Sequence, residues 1–480
     1  MRRRYLSLPV CALALTLSTA SVVTVDAAPP HTVFVVNAQD VGPGSFRHAI
    51  NLANSNPSIT RVQFLWKWTV ALQHTVYFSG VQDLTIDGGH STLNAAGAGG
   101  DAFVANGGGN LVVSNLTVRN ATGEGLEVQI PPGSTGTVRV SLFNVTIKDN
   151  LGHGVLVDDQ ISNTDASIDV SVFASRFLGN GFGDIDRDGL RVNEGGLGNL
   201  IIKIVLSVSE GNGADGIEAD EKGDGDVRVE MFASGVHGNG SFTSADFDDG
   251  FDIDEEGNGS ILGKIVLSAA NDNYEEGFDF NENHAGDLKV DMLLVEASRN
   301  AEEGIDYEED DDETAASSGG IVTTMELVKA NGNKGGDAGI KIRERASTDP
   351  ANTTDPGDLT VTLKGVETSN NFVTDAAATD GGRGIFIRED GVGSMIASVT
   401  NAKSLANESH GIDFDENGAG DATVSVTNAN SSNNGVPAAV IPGAGVRADE
   451  GGAGAGTATL TNVTLQGNTE LDGTAGNLLP

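Results

Sequence analysis

The 480-residue chain carries 68 acidic side chains against 28 basic ones, a formal net charge of −40 at pH 7. A field of that sign disfavours nucleic acid and anionic lipid as partners. Cysteine occurs once, at Cys11, so the body of the chain has neither a disulfide framework nor thiol chemistry.

Residues 1–27 join a basic start to an apolar run, with small residues at Ala20 and Ala27. This reads as a secretory signal peptide cut after Ala27, which places the mature protein outside the cytoplasm as a secreted, more acidic chain. Serine and threonine interrupt the run, which argues against a membrane anchor, and no later segment is apolar enough to span a bilayer. Residues 28–95 read as an N-terminal cap with the first coils. In them Ser45 is placed to cap a helix whose Phe46, Ala49, Ile50 and Ala53 share one face. Such a helix would cover the open end of a solenoid.

Residues 96–470 read as repeats, and 471–480 as a C-terminal tail. From Gly189 a glycine opens each unit: Gly189, Gly216, Gly250, Gly277, Gly304, Gly339, Gly384, Gly411 and Gly445. The spacings are 27, 34, 27, 27, 35, 45, 27 and 34, a unit of 27 with insertions. One and three residues after each glycine the side chain is apolar, as in Phe251/Ile253 and Phe278/Phe280. That alternation predicts a strand with one face buried. A second alternating run follows in each unit. Asn150, Asn212, Asn273, Asn300 and Asn407 stand four residues before the next glycine, placed to satisfy turn amides coil after coil. Units this short leave no room for a βαβ crossover, and three short strands per coil predict an all-β parallel β-helix.

The asparagine position and the coil length resemble the right-handed parallel β-helices of the pectate-lyase-like superfamily, over roughly residues 70–470. The strings Asp40–Phe64 and Leu84–Gly89 look like the entry segment and early coils of secreted β-helix proteins. The resemblance implies a right-handed solenoid; function is a separate matter.

Five residues after each opening glycine stands a glutamate without exception: Glu194, Glu221, Glu255, Glu282, Glu309, Glu344, Glu389, Glu416 and Glu450. Parallel strands stack at about 4.8 Å, where two carboxylates repel. Asp220, Asp254, Glu256, Glu308, Asp310, Asp415 and Asp449 crowd the same turn, and Arg343, Arg345 and Arg388 are the cations there. Ca²⁺ between stacked carboxylates would relieve the repulsion, with carbonyls of the Gly-x-Gly turns filling the shell. The competing expectation is a solvated acidic face that keeps the solenoid soluble. Asp184, Asp186 and Asp188 also match the first half of an EF-hand loop, but the glutamate falls one residue early, so a calcium-binding turn is expected there and an EF-hand is not.

Short strings found in polygalacturonases occur at Gly152–Gly154, Asp158–Asp159 and Asn163–Asp165, in reversed order and within fourteen residues, which marks them as accidental. A lyase would need a basic residue beside Ca²⁺, for which Arg343 or Arg388 are the candidates; pairing with neighbouring acids is the simpler reading. His153, His237, His284 and His410 fall in scattered columns. The sequence therefore points to a non-enzymatic extracellular or cell-surface binding or structural protein loaded with Ca²⁺, whose partner is a polysaccharide or a cell-surface component. A Ca²⁺-dependent lyase or hydrolase of acidic polysaccharide is the alternative.

Overall fold

A computed structural model of the chain describes residues 31–159, 164–243, 247–310, 319–345, 357–373, 381–435, 443–451 and 454–469. The signal-peptide segment and the tail from 471 lie outside them, as do parts of the loops after Asn371 and Asn434 and the first residue of the Asn163–Asp165 string.

The chain winds as a parallel β-helix. Each repeat contributes three strands, for example Phe251–Glu255, Ile261–Val266 and Ala269–Asn271. The nine strands that follow the opening glycines, with four earlier ones, form a thirteen-stranded sheet running from Val76–Phe78 to Val446–Glu450. The other two strands of each coil join a longer sheet. Pairing is parallel and keeps equivalent positions in register, so Phe251 lies opposite Phe278 and Glu255 opposite Glu282.

That register converts sequence alternation into a continuous core. The first and third residues after each glycine point inward and are buried from Leu190 to Val446, with Ala448 partly buried. Aromatic side chains stack along the axis: the Phe251 and Phe278 centroids are 5.9 Å apart, and Phe280 meets the edge of Tyr307 at 5.0 Å. Burying each such ring stabilises the coil by roughly 1.5–3 kcal/mol. No disulfide is needed to hold a core that is continuous from end to end.

A ladder of buried asparagines ties the turns together. Asn212 Nδ2 donates to Asn239 Oδ1 at 2.9 Å, Asn239 to Asn273 at 3.1 Å, and Asn273 to Asn300 at 3.0 Å. Each backbone N–H donates to the same oxygen of the next coil, as from Asn273 to Asn300, 27 residues on. Ladder members that departed from the four-residue offset, Asn180, Asn239 and Asn371, occupy the same column.

The single α-helix among the described residues, Phe46–Ser55, is capped by Ser45, whose hydroxyl accepts from the His48 N–H at 3.2 Å. Phe46, Ala49, Ile50 and Ala53 are its buried residues. Phe46 packs on Phe64 and Phe103 at centroid distances of 5.5 and 6.0 Å, so the helix closes the first coils. No helix among the described residues is long and apolar enough to cross a membrane.

Candidate functional site: two acidic columns

The nine glutamates form one ladder. Glu194, Glu221, Glu255, Glu282, Glu309, Glu344, Glu389, Glu416 and Glu450 are partners in register across eight successive strand pairs. They are not a solvated face: the first eight are fully buried, and Glu450 is 5 % exposed. The fifth residue shares the strand parity of the first and third, so its side chain points into the solenoid and curls under its own turn.

What the turn presents there is N–H, not carbonyl. Glu221 accepts from Gly223 N–H at 2.9 Å, Glu255 from Gly257 at 2.9 Å, Glu389 from Gly391 at 2.7 Å and Glu416 from Gly418 at 3.1 Å. Glu194 accepts from both Gly196 and Gly198. The turn carbonyls instead run along the stack. A Cβ on Gly257 would fall 1.2 Å from the Gly223 oxygen, and one on Gly223 would fall 1.5 Å from the Gly196 oxygen. Glycine is required because the backbones themselves touch. One oxygen of each of Glu221, Glu255, Glu389 and Glu416 is thus engaged by a glycine amide.

The second oxygens of Glu221, Glu255, Glu282, Glu389 and Glu416 are also buried, with no donor beside them other than neighbouring carboxyl groups. A carboxyl can donate only when protonated. Burial and the adjacent glutamates push Glu221 up to about 11, Glu282 to about 9 and Glu416 to about 10. Burial raises Glu194 only to about 6, because Glu221 and the Gly196 and Gly198 amides stabilise its charge. Protons held by Glu221, Glu282, Glu389 and Glu416 answer the repulsion that the spacing creates.

A second column lies on the outer side of the same strands. Its members precede each glycine by one or follow it by two or four: Asp215, Glu218 and Asp220; Asp249, Asp252 and Asp254; Glu276 and Asp279; Glu303, Asp306 and Glu308. In the middle row Arg191, Glu218, Asp252, Asp279, Asp306 and Lys341 stand opposite one another in order. Cations hold both ends. Arg191 bonds Glu218 at 2.7 Å and Asp220 at 3.0 Å, and Lys341 bonds Asp306 at 2.7 Å and also reaches Glu308.

Between those ends, among the described residues, Asp252 and Asp279 form no ion pair, and of these acids Lys222 reaches only Asp220, at 3.7 Å. Carboxylate oxygens of Asp215, Glu218 and Asp252 lie within 4.8 Å of one another, and so do those of Asp249, Asp252 and Asp279. Glu218 Oε2, Asp252 Oδ1 and Asp279 Oδ1 are buried without a hydrogen-bond partner, and Glu218 is 6 % exposed. Burial, and then the neighbouring carboxylates, push Asp215, Glu218, Asp249, Asp252 and Asp279 well above the usual range. Oxygens no more than 4.8 Å apart, about twice a Ca²⁺–oxygen bond, can reach one ion between them. Two three-carboxylate seats sharing Asp252 thus fit a hard divalent cation.

The aspartates of the EF-hand-like string do not converge as one loop. Asp184 accepts the N–H of Ile185, Asp186 pairs with Arg191, and Asp188 is buried against His153 at 3.2 Å. Burial pushes Asp188 up, but His153 and Arg191 outweigh it and hold it low. The Arg191 guanidinium fills the position a cation would take among Asp186, Asp188 and Glu218. Arg343 and Arg388 both bond Asp390, at 2.8 and 2.6 Å, and Arg345 pairs with Glu308. The outer seats are written less regularly in the sequence than the glutamate ladder, because their acids flank the glycine on both sides and vary between Asp and Glu. The strings DGIEADE at 215–221, DGFDIDE at 249–255, EGFDFNE at 276–282 and EGIDYEE at 303–309 carry the signal.

No protein-family model matches the chain, and no curated protein matches it in sequence. Among solved structures it is similar to the crystal structure of pectate lyase Pel9A, at 16 % identity over 65 % of this chain and 78 % of that one, with a TM-score of 0.42.

Proposed function

We propose that the protein is a secreted, non-enzymatic binding or structural β-helix whose outer acidic face takes divalent cations, Ca²⁺ first among them. The observation that carries this reading is the pair of seats sharing Asp252, where buried carboxylate oxygens have no protein partner. A bare carboxylate held out of water is costly unless paired, and Arg191 and Lys341 reach only the ends of the row. When bound, the ion supplies the missing counter-charge. Asp215, Glu218, Asp249, Asp252 and Asp279 would hold it, each fixed by its strand.

Asp249 and Asp215 are further restrained because they also accept backbone N–H groups of the next coil. A face loaded in this way can bridge to carboxylates of an acidic extracellular polysaccharide or a cell-surface component. At the other end of these strands, over the turns that follow the ladder glutamates, a groove of about 540 Å³ lined in part by Lys222, Glu256 and His284 offers such a chain a place to lie. A lyase reading finds less support, since both arginines it would use are bonded to Asp390. Ca²⁺ should raise the melting temperature more than NaCl matched for ionic strength, because screening alone leaves the oxygens unpartnered. Equal shifts from the two salts would remove the cation from the account.

A further inference from the structure

We infer that the outer face of the longer sheet is a docking surface for a second copy of this chain, in an antiparallel face-to-face dimer. Where each strand such as Leu200–Val205 ends, the next residue turns into the left-handed region in every coil. Asn115, Asn144, Asn401, Asn428 and Asn462 adopt it at φ of 52° to 57°, as suits asparagine. In the middle of the solenoid the same position is leucine in four coils, Leu206, Leu267, Leu294 and Leu327, at φ of 52° to 57°, with Ala233 between the first two and Ala174 before them. These leucines are 45–52 % exposed. A γ-branched side chain in a disfavoured conformation leaves about half of its apolar surface to water in the monomer. Phe143 and Phe173, stacked at 5.0 Å and exposed, extend the ridge from its N-terminal end.

Charge selects the occupant. Beside the ridge, Lys203, Glu230, Lys264 and Asp291 are opposite one another in successive coils, giving the order plus, minus, plus, minus. Among the described residues, none of Lys203, Glu230 and Lys264 forms an ion pair. A two-fold axis lying along the strands, between the Glu230 and Lys264 coils, reverses the coil order. It sets Lys203 against Asp291 of the second copy, and Glu230 against Lys264 of the second copy. The apolar row closes on itself in the same operation, Leu206 against Leu294 and Leu267 against the smaller Ala233, with Phe232 against Val266 beside them. A groove of about 420 Å³ lies at that centre, lined by Ile201, Lys203, Arg228, Glu230, Leu262 and Lys264. For a chain of net charge −40, this balanced face is one that two copies can bring together without repulsion. Six residues by six coils is about 20 by 29 Å, on the order of 1,100 Å² over both copies, the size of a weak, reversible interface.

Sedimentation velocity of the mature protein over about 1–100 µM, the range for an interface of this size, should show monomer passing into dimer. Replacing Leu206, Leu267, Leu294 and Leu327 together by Asn should abolish the dimer while leaving the melting temperature of the monomer equal or higher, because asparagine suits the conformation. Lys264→Glu should weaken dimerisation at least tenfold, and Lys264→Glu combined with Glu230→Lys should restore it. A wild-type protein that stays monomeric throughout, including one that binds polysaccharide on this face instead, would overturn the inference. So would a dimer that survives the four leucine replacements.

Discussion

Glu221 stands directly across the ladder from Glu255, both fully buried, and each accepts the N–H of the glycine two residues on. Two charges cannot share that place, so the folded chain retains protons that the unfolded chain gives up. Glutamate in the unfolded chain ionises near 4.5, whereas Glu389, Glu282, Glu416 and Glu221 in the fold hold their protons to about 8, 9, 10 and 11. The stabilisation is complete below the unfolded value and is lost as pH rises through that window. Each retained proton contributes up to about 1.4 kcal/mol per pH unit. In a chelator the melting temperature should therefore fall steadily from pH 5 to pH 9. Thermal denaturation across that range checks this; stability that rises with pH would contradict it.

Glu221→Gln mimics the protonated acid, keeping a donor for Glu194 and Glu255 without a titrating group. It should flatten the pH dependence by about one proton and cost little stability at neutral pH. Glu221→Ala leaves the Gly223 N–H and two carboxyl neighbours unpaired and should cost about 1–3 kcal/mol for each buried group orphaned. Denaturant unfolding of the two variants separates the roles.

Gly257→Ala places a methyl 1.2 Å from the Gly223 carbonyl oxygen. Relief requires the coils to separate, at about 3 kcal/mol or more. An alanine variant as stable as the wild type would mean that the turns are not stacked this closely.

Phe280 touches Phe251 at 6.0 Å and Tyr307 at 5.0 Å and has no exposed surface. Phe280→Ala should cost about 3–5 kcal/mol, and Phe414→Ala a similar amount. Chemical denaturation provides the measurement; losses below about 1 kcal/mol at both, under the range for such truncations, would place these rings outside the core.

The solenoid was legible because period and parity are written in single residues. The opening glycine, the apolar pair after it and the asparagine before it fixed coil, strand and turn, and Ser45 with Phe46, Ala49, Ile50 and Ala53 fixed the cap. The direction of Glu221 was legible too, since residue five follows residues one and three inward, but a charge is ordinarily read as a surface group. What alternation could not show was the glycine amides that receive the carboxylate, because the fold of a turn depends on contact with the coil below. Nor could it show Asp215 beside Asp252, 37 positions apart, because insertions before Gly250 hide the alignment until the coils are stacked.

The two columns make opposite demands on Ca²⁺, and one calorimetric titration at neutral pH compares them. Wild type should bind; Asp252→Asn, which removes the carboxylate common to both seats, should lose at least about tenfold in affinity, some 1.4 kcal/mol; Glu221→Gln should bind as the wild type does. Loss of binding in Glu221→Gln with wild-type affinity in Asp252→Asn would contradict the account, because it would put the ion inside the ladder and leave the outer face bare.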